Sequence, residues 1–191
     1  MDMLIIGSET NLSPPFCRNC TCVGKNCTGC NGCARPKAWV PMTVAQSRAQ
    51  LSVWAVMKSP LLASADLTDT DPALIEVLAN AEVLAVSDDP LGVEARRLGD
   101  GGRADRSVGE IYAARMAGGA HAVVMFNRNG APASMTLELG DIVGDAAAAG
   151  TDAWEVRDLW AHTDNGTVST AGSIAATVGG TDVVMLTLRP R

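Results

Sequence analysis

The chain has 191 residues, 47% hydrophobic and 19% charged, long enough to bury a core as one large domain or two small ones and too apolar for a disordered chain. Its formal net charge of −6 comes without a basic stripe, which disfavours nucleic acid as a partner. No apolar run approaches the roughly 20 residues that cross a bilayer, so no membrane partner is expected. The first residues also lack the basic segment and long apolar core of a signal peptide.

Met1-Asp2-Met3-Leu4-Ile5-Ile6-Gly7 reads as a charged tip on a short strand. The unbroken run Leu4–Ile6 is the pattern of a strand covered on both faces, and Gly7 ends it. Such strands usually have parallel neighbours, which leads us to expect the back end of a larger protein. Residues 8–41 follow as an unusual loop. Cys17, Cys20, Cys22, Cys27, Cys30 and Cys33 lie there in the spacing C-x2-C-x-C-x4-C-x2-C-x2-C, and no other cysteine occurs. Three disulfides stapling a coreless surface loop, a tetrahedral zinc site and free thiols are all readings of this spacing. An iron–sulfur motif would place its fourth ligand at Lys37. Four glycosylation sequons, at Asn11, Asn19, Asn26 and Asn165, agree with a secretory route and with disulfides.

Thr43 followed by Gln46 forms a capping box for a helix over 43–58, with Val44, Leu51, Trp54 and Met57 at helical spacing. Pro60 stops it, and Leu61–Ala65 reads as a second short buried strand. Asp71-Pro72 supplies an N-cap and first-turn proline to a helix carrying Leu74, Ile75 and Leu78. Val83–Val86 and the Asp89-Pro90-Leu91-Gly92 turn close this part, in the order strand, helix, strand, helix of two β/α units. Residues 99–109 read as a linker. Short strands are then expected at 110–116, 121–127, 134–139, 154–160, 173–178 and 182–188, with Val184, Leu186 and Leu188 on one face. The Ala146–Ala149 run reads as loop. An antiparallel β-sandwich after a β/α piece is the composite.

Three segments carry a family resemblance: Met42-Thr43 through Asp66-Leu67, Asn80 through Gly92, and Val156-Arg157-Asp158-Leu159-Trp160-Ala161-His162. With the Asp2-Met3 start, they make the chain resemble the C-terminal part of the α-galactosidases and α-N-acetylgalactosaminidases of glycoside hydrolase family 27. The resemblance runs along most of the chain except 8–41 and is weakest over 93–150. It implies an α/β plus all-β fold: the last two β/α units of a TIM (β/α)8 barrel in residues 1–92, with a Cys-rich insertion at 8–41, then an antiparallel β-sandwich in 93–191. It further implies hydrolysis of terminal α-D-galactosides with retention, using two aspartates in motifs this chain does not contain. No catalytic residue is therefore assigned, and no metal or cofactor is expected. Galactose and N-acetylgalactosamine both stay open as the sugar.

Asp2 and Met3 match the end of the family's Trp-Asn-Asp-Pro-Asp-Met segment, where the Asp bonds sugar hydroxyls and the Met lines the pocket; Met1 stands in place of the Pro. They are the substrate-binding candidates, against the alternative of a frayed terminus. The 8–41 loop would leave its strand at the active-site rim, with Trp39 as a sugar-stacking face, or be a decorative insertion. Asp88-Asp89 read as a turn rather than an acid/base pair, Asp66 as polarity at a helix entry or a group directed into the pocket, His121 and His162 as surface or hydrogen-bonded structural residues, and Arg157–Trp160 as a sandwich packing motif or, with the Trp exposed, a sugar-binding face. The resemblance further implies an α-galactoside as partner, leaves room for a homodimer of the full-length enzyme, and points to a secreted, vacuolar or lysosomal location. The chain alone should be inactive, with 93–191 folding independently and 1–92 only partly ordered. The rival readings are a non-catalytic carbohydrate-binding or interaction module with a Cys-rich arm, and a small metal-binding protein.

Overall fold

The computed structural model describes residues 42–63, 67–68, 70–98, 109–143 and 150–191, with the backbone of two short strands at 21–23 and 26–28. Those strands, β1 (Thr21–Val23) and β2 (Asn26–Thr28), form an antiparallel ladder in register Cys22 to Cys27.

Helix α1 (Val44–Val56) starts where the capping box places it. The Thr43 hydroxyl accepts from the Gln46 amide at 3.2 Å, and the Gln46 side chain accepts from the Thr43 amide at 2.9 Å, so two amides without helical partners are satisfied reciprocally. Asp71 caps α2 (Pro72–Leu78) by accepting from the Ala73 amide at 2.9 Å, with Pro72 in the first turn. A third helix, α3 (Ala81–Ser87), occupies the segment that the sequence reading leaves as a closing piece. Its cap is Asn80, whose Oδ1 accepts from the Glu82 and Val83 amides. Lys58, at φ +55° just past α1, donates its ammonium to the Val86 and Ser87 carbonyls, placing positive charge at the C-terminal end of α3.

The buried strand expected over 61–65 is not found. Leu62 is 42% exposed, Ala63 makes only an isolated bridge, and 64–66 lie outside the described residues. An apolar run becomes a central strand only when ladders form on both sides and both faces are covered. Among the described residues neither condition holds, so the order here is helix, helix, helix.

From residue 96 onward the expected sandwich is present. Strands β3 (Arg96–Arg97), β4 (Glu110–Arg115), β5 (His121–Phe126), β7 (Ala153–Asp158), β8 (Thr163–Ser169) and β10 (Val183–Pro190) form one antiparallel sheet in the order β3-β4-β5-β10-β7-β8. Strands β6 (Ala133–Glu138) and β9 (Ser173–Val178) pair antiparallel as a second sheet. A single helical turn, α4 (Gly140–Val143), buries Ile142 and Val143 beside it.

The six-stranded sheet is covered on both sides. Val123, Met125, Trp154, Val156, Leu186 and Leu188 meet Met135, Leu137 and Val178 of the small sheet. On the opposite face Ala114, Ala122, Val124, Val183 and Met185 meet Leu51, Ala55, Val56, Val83 and Val86 of the helices. Strand β10, between two neighbours and two layers, is therefore apolar at nearly every position rather than at alternate ones. Val184, Leu186 and Leu188 do share one face, as their period-two spacing predicts. Strand β6, covered on one side, keeps strict alternation, with Met135 and Leu137 buried and Ser134, Thr136 and Glu138 exposed. Residues on both sides of position 92 thus share one core. The helices shield a sheet face that a lone 93–191 segment would expose.

Candidate functional site

The motif Val156–His162 ties the layers together. Arg157, leaving β7, holds Glu82 of α3 through two parallel bonds, Nε to Oε2 at 2.8 Å and Nη2 to Oε1 at 2.9 Å, the fork geometry in which guanidinium and carboxylate bind best. Its Nη1 reaches Asp164 of β8 at 3.0 Å. His162, at φ +55° in the β7–β8 turn, places Nδ1 2.5 Å from Glu82 Oε1. The Leu159 carbonyl accepts from Asn80 Nδ2 at 3.0 Å, so one asparagine both starts α3 and anchors it to the sheet. Asp158 Oδ1 accepts from the Trp160 and Ala161 amides at 2.9 Å, folding the turn that presents the indole.

The Arg157 fork holds the Glu82 carboxyl well below its usual range, from 4.5 to about 2, against the opposing effect of burial and with a smaller contribution from His162. A carboxyl with a depressed folded-state pKa contributes stability that is complete above its unfolded value and is lost as pH falls through the folded one. Glu82→Gln should therefore flatten the acid limb of stability between pH 4.5 and about 2. Denaturant unfolding of wild type and variant across that window checks this; an unchanged acid limb would show that the pair carries no linkage.

Trp160 closes a second feature. Its Nε1 donates to Ser52 Oγ at 2.9 Å, which donates to the Arg48 carbonyl at 2.7 Å. The Arg48 guanidinium stands 5.9 Å from the indole centroid and pairs with Asp182 at 2.5 Å. Arg48, Trp160 and Asp182 border a polar cleft of about 220 Å³, which Asp158, Thr177 and Gly179 also line. Both aspartates here already serve structural donors: Asp158 folds its turn, and Asp182 binds Arg48 and its neighbouring amide. The cleft is thus built to hold α1 on the sheet rather than to move protons. A larger groove, about 310 Å³, is apolar and lies among the helices, lined by Leu51, Leu61, Leu67, Ile75, Leu78 and Leu84. Among the described residues no group of His, Cys, Asp and Glu could hold a metal.

Several sequence-predicted positions lie outside the described residues: Asp2 and Met3, the Leu4–Ile6 run, Trp39, Asp66, the side chains of the six cysteines, and 146–149. The others fall where a structural role puts them. Asp89 Oδ1 accepts from Leu91 and Ala117 amides and Asp88 ends α3, which makes a turn rather than an acid/base pair. His121 is buried against Trp154, ring centroids 5.3 Å apart and edge-on at 74°, with burial lowering its pKa. The sequence reading missed the partners of Arg157 and Trp160, which lie 75 and 108 residues away; an arginine and a tryptophan within one short motif were the only signal.

Comparison with known proteins gives two matches to protein families. Residues 39–89 match a family described as "Alpha galactosidase A", and 108–188 match "Alpha galactosidase C-terminal beta sandwich domain". Alpha-galactosidase 3 of Arabidopsis thaliana is 35% identical over 150 residues, 78% of this chain and 33% of that protein. Alpha-galactosidase of Coffea arabica is 36% identical over 150 residues, 78% and 37% of the two chains. Among solved structures, alpha-galactosidase I from Mortierella vinacea superposes with a TM-score of 0.67 at 27% identity, over 77% of this chain and 36% of that one. The chain spans about a third of the length of the curated relatives it matches.

Proposed function

The chain belongs to glycoside hydrolase family 27, and we propose that it is part of a retaining α-galactosidase that hydrolyses terminal α-D-galactosides. What supports this most is the pairing of the two family matches in chain order, 39–89 then 108–188. The first falls on the helices and the second on the sandwich they pack against. In a retaining hydrolase one carboxylate attacks the anomeric carbon while a second, about 5 Å away, protonates the leaving oxygen and then activates water. None of the carboxylates in the network described above is free for that work. In this reading both catalytic aspartates come from barrel strands outside these 191 residues, and Asp2 and Met3 contribute to the sugar pocket. The residues described here brace the rear of the barrel, with Arg157 and Trp160 locking helices to sandwich. The enzyme needs no metal or organic cofactor and works in a secreted, vacuolar or lysosomal setting.

A chimera tests it. The C-terminal third of the Mortierella vinacea enzyme is replaced by this chain, and hydrolysis of 4-nitrophenyl α-D-galactoside is measured for the chimera and for the 191 residues alone. The chimera should be active and the isolated chain inactive. A folded but inactive chimera, or turnover by the isolated chain, sinks the proposal. Binding of galactose without turnover by the isolated chain would favour a carbohydrate-binding module instead.

A further inference from the structure

Among the described residues strand β8 is the free edge of the six-stranded sheet, and its middle is irregular. Glu155 pairs with Thr167 and Arg157 with Asp164, so Val156 alone faces two residues, Asn165 and Gly166. This is a bulge, with Gly166 at φ +79° supplying the left-handed backbone. Asn165, Gly166 and Thr167 are all exposed, and together they read Asn-Gly-Thr. The Asn165 Oδ1 accepts from the Thr163 hydroxyl at 3.2 Å, and among the described residues Nδ2 has no partner. The bulge lifts out of the ladder the amide nitrogen that a glycosyl transfer would use, with the Thr167 hydroxyl exposed two residues on.

We infer that Asn165 is an acceptor for an N-linked oligosaccharide, seated on the bulged edge of the sandwich. In the transfer, Nδ2 forms a C–N bond to the anomeric carbon of a polyprenyl-pyrophosphate-linked oligosaccharide, losing one proton as the lipid pyrophosphate leaves. The placement suits the fold. An exposed edge strand invites pairing with another chain, and a bulky hydrated group at its midpoint blocks that approach. The inference requires the secretory route but not the hydrolytic activity.

The test is expression of the full chain behind a cleavable secretion leader in yeast, with Asn11→Gln, Asn19→Gln and Asn26→Gln combined so that Asn165 is the remaining sequon. The protein should carry one endoglycosidase-sensitive glycan, mapped to Asn165 by its conversion to aspartate on enzymatic release. Thr167→Ala, which spares Asn165, should remove it. Protein entering the secretory pathway without a glycan, or a glycan that survives Thr167→Ala, overturns the inference. Should the triple variant be degraded, glycopeptide mapping of the membrane-enclosed wild-type chain decides the same question: an unmodified Asn165 peptide overturns it.

Discussion

Asn127→Asp, a change of almost no volume, is expected to destabilise the chain by about 3–5 kcal/mol at neutral pH. Asn127 follows β5 and is fully buried. Its Nδ2 lies 2.8 Å from the Ala131 carbonyl, 3.2 Å from that of Val178 and 2.9 Å from that of Gly179, while Oδ1 accepts from the Asn129 amide at 2.9 Å. One amide thereby links the loop after β5 to the turn after β9, joining the two sheets at one end. The surrounding backbones have no slack: a Cβ on Gly180 would collide with the Gly130 carbonyl. Aspartate would turn an oxygen toward three carbonyl oxygens, with no donor to replace the lost ones. The buried carboxyl would then stay protonated to higher pH in the folded than in the unfolded chain. The penalty should therefore be smallest below about pH 4 and grow as pH rises through the normal carboxyl range. Urea unfolding of wild type and variant at both ends of that range measures it; equal stability at neutral pH would mean that the three carbonyls are satisfied in some other way.

Trp154→Ala should cost about 3–5 kcal/mol. The indole is completely buried between the sheets, its Nε1 donating to Thr170 Oγ1 at 3.0 Å. The hydroxyl of Thr170 donates in turn to the Thr151 carbonyl, so it keeps a partner when the indole is removed and the loss is mainly of packing. A lower denaturant midpoint with an unchanged slope is the expected signature. His121 offers a second readout. Its imidazole lies against Trp154, and burial holds its pKa down because the charged form loses hydration. Opening a cavity beside it should bring that pKa back toward its ordinary value, observable by NMR titration. A midpoint within experimental error of wild type would mean that the core collapses around the gap.

Legibility differed sharply along the chain. The Thr43 capping box and the Asp71-Pro72 start could be read directly, since each is complete within four residues. The six expected strands of the sandwich appear with boundaries within two residues of those expected, because alternation or continuous apolarity reports how many faces are covered. Strand β8 was unreadable: Thr-Asp-Asn-Gly-Thr-Val-Ser has almost no apolar signal, and its ladder is set by β7. The described part of the 61–65 run, Leu61–Ala63, failed in the opposite direction, since an apolar run does not state whether neighbours will be there to cover it. For the motif at 157–160 the reading of a packing element was right, but what it packs against could not be inferred.

By itself, the sequence determined where helices start, which strand faces are apolar and which family the chain resembles. Those properties reside in hydrogen bonds and side-chain periods spanning a few residues. Only the tertiary structure decided that Arg157 grips Glu82, that Trp160 reaches Ser52, and that the helices and the sandwich share a core. The two side-chain contacts join positions 75 and 108 residues apart. They are selected by which surfaces exclude water together, a property of the assembled layers and of no local stretch of chain.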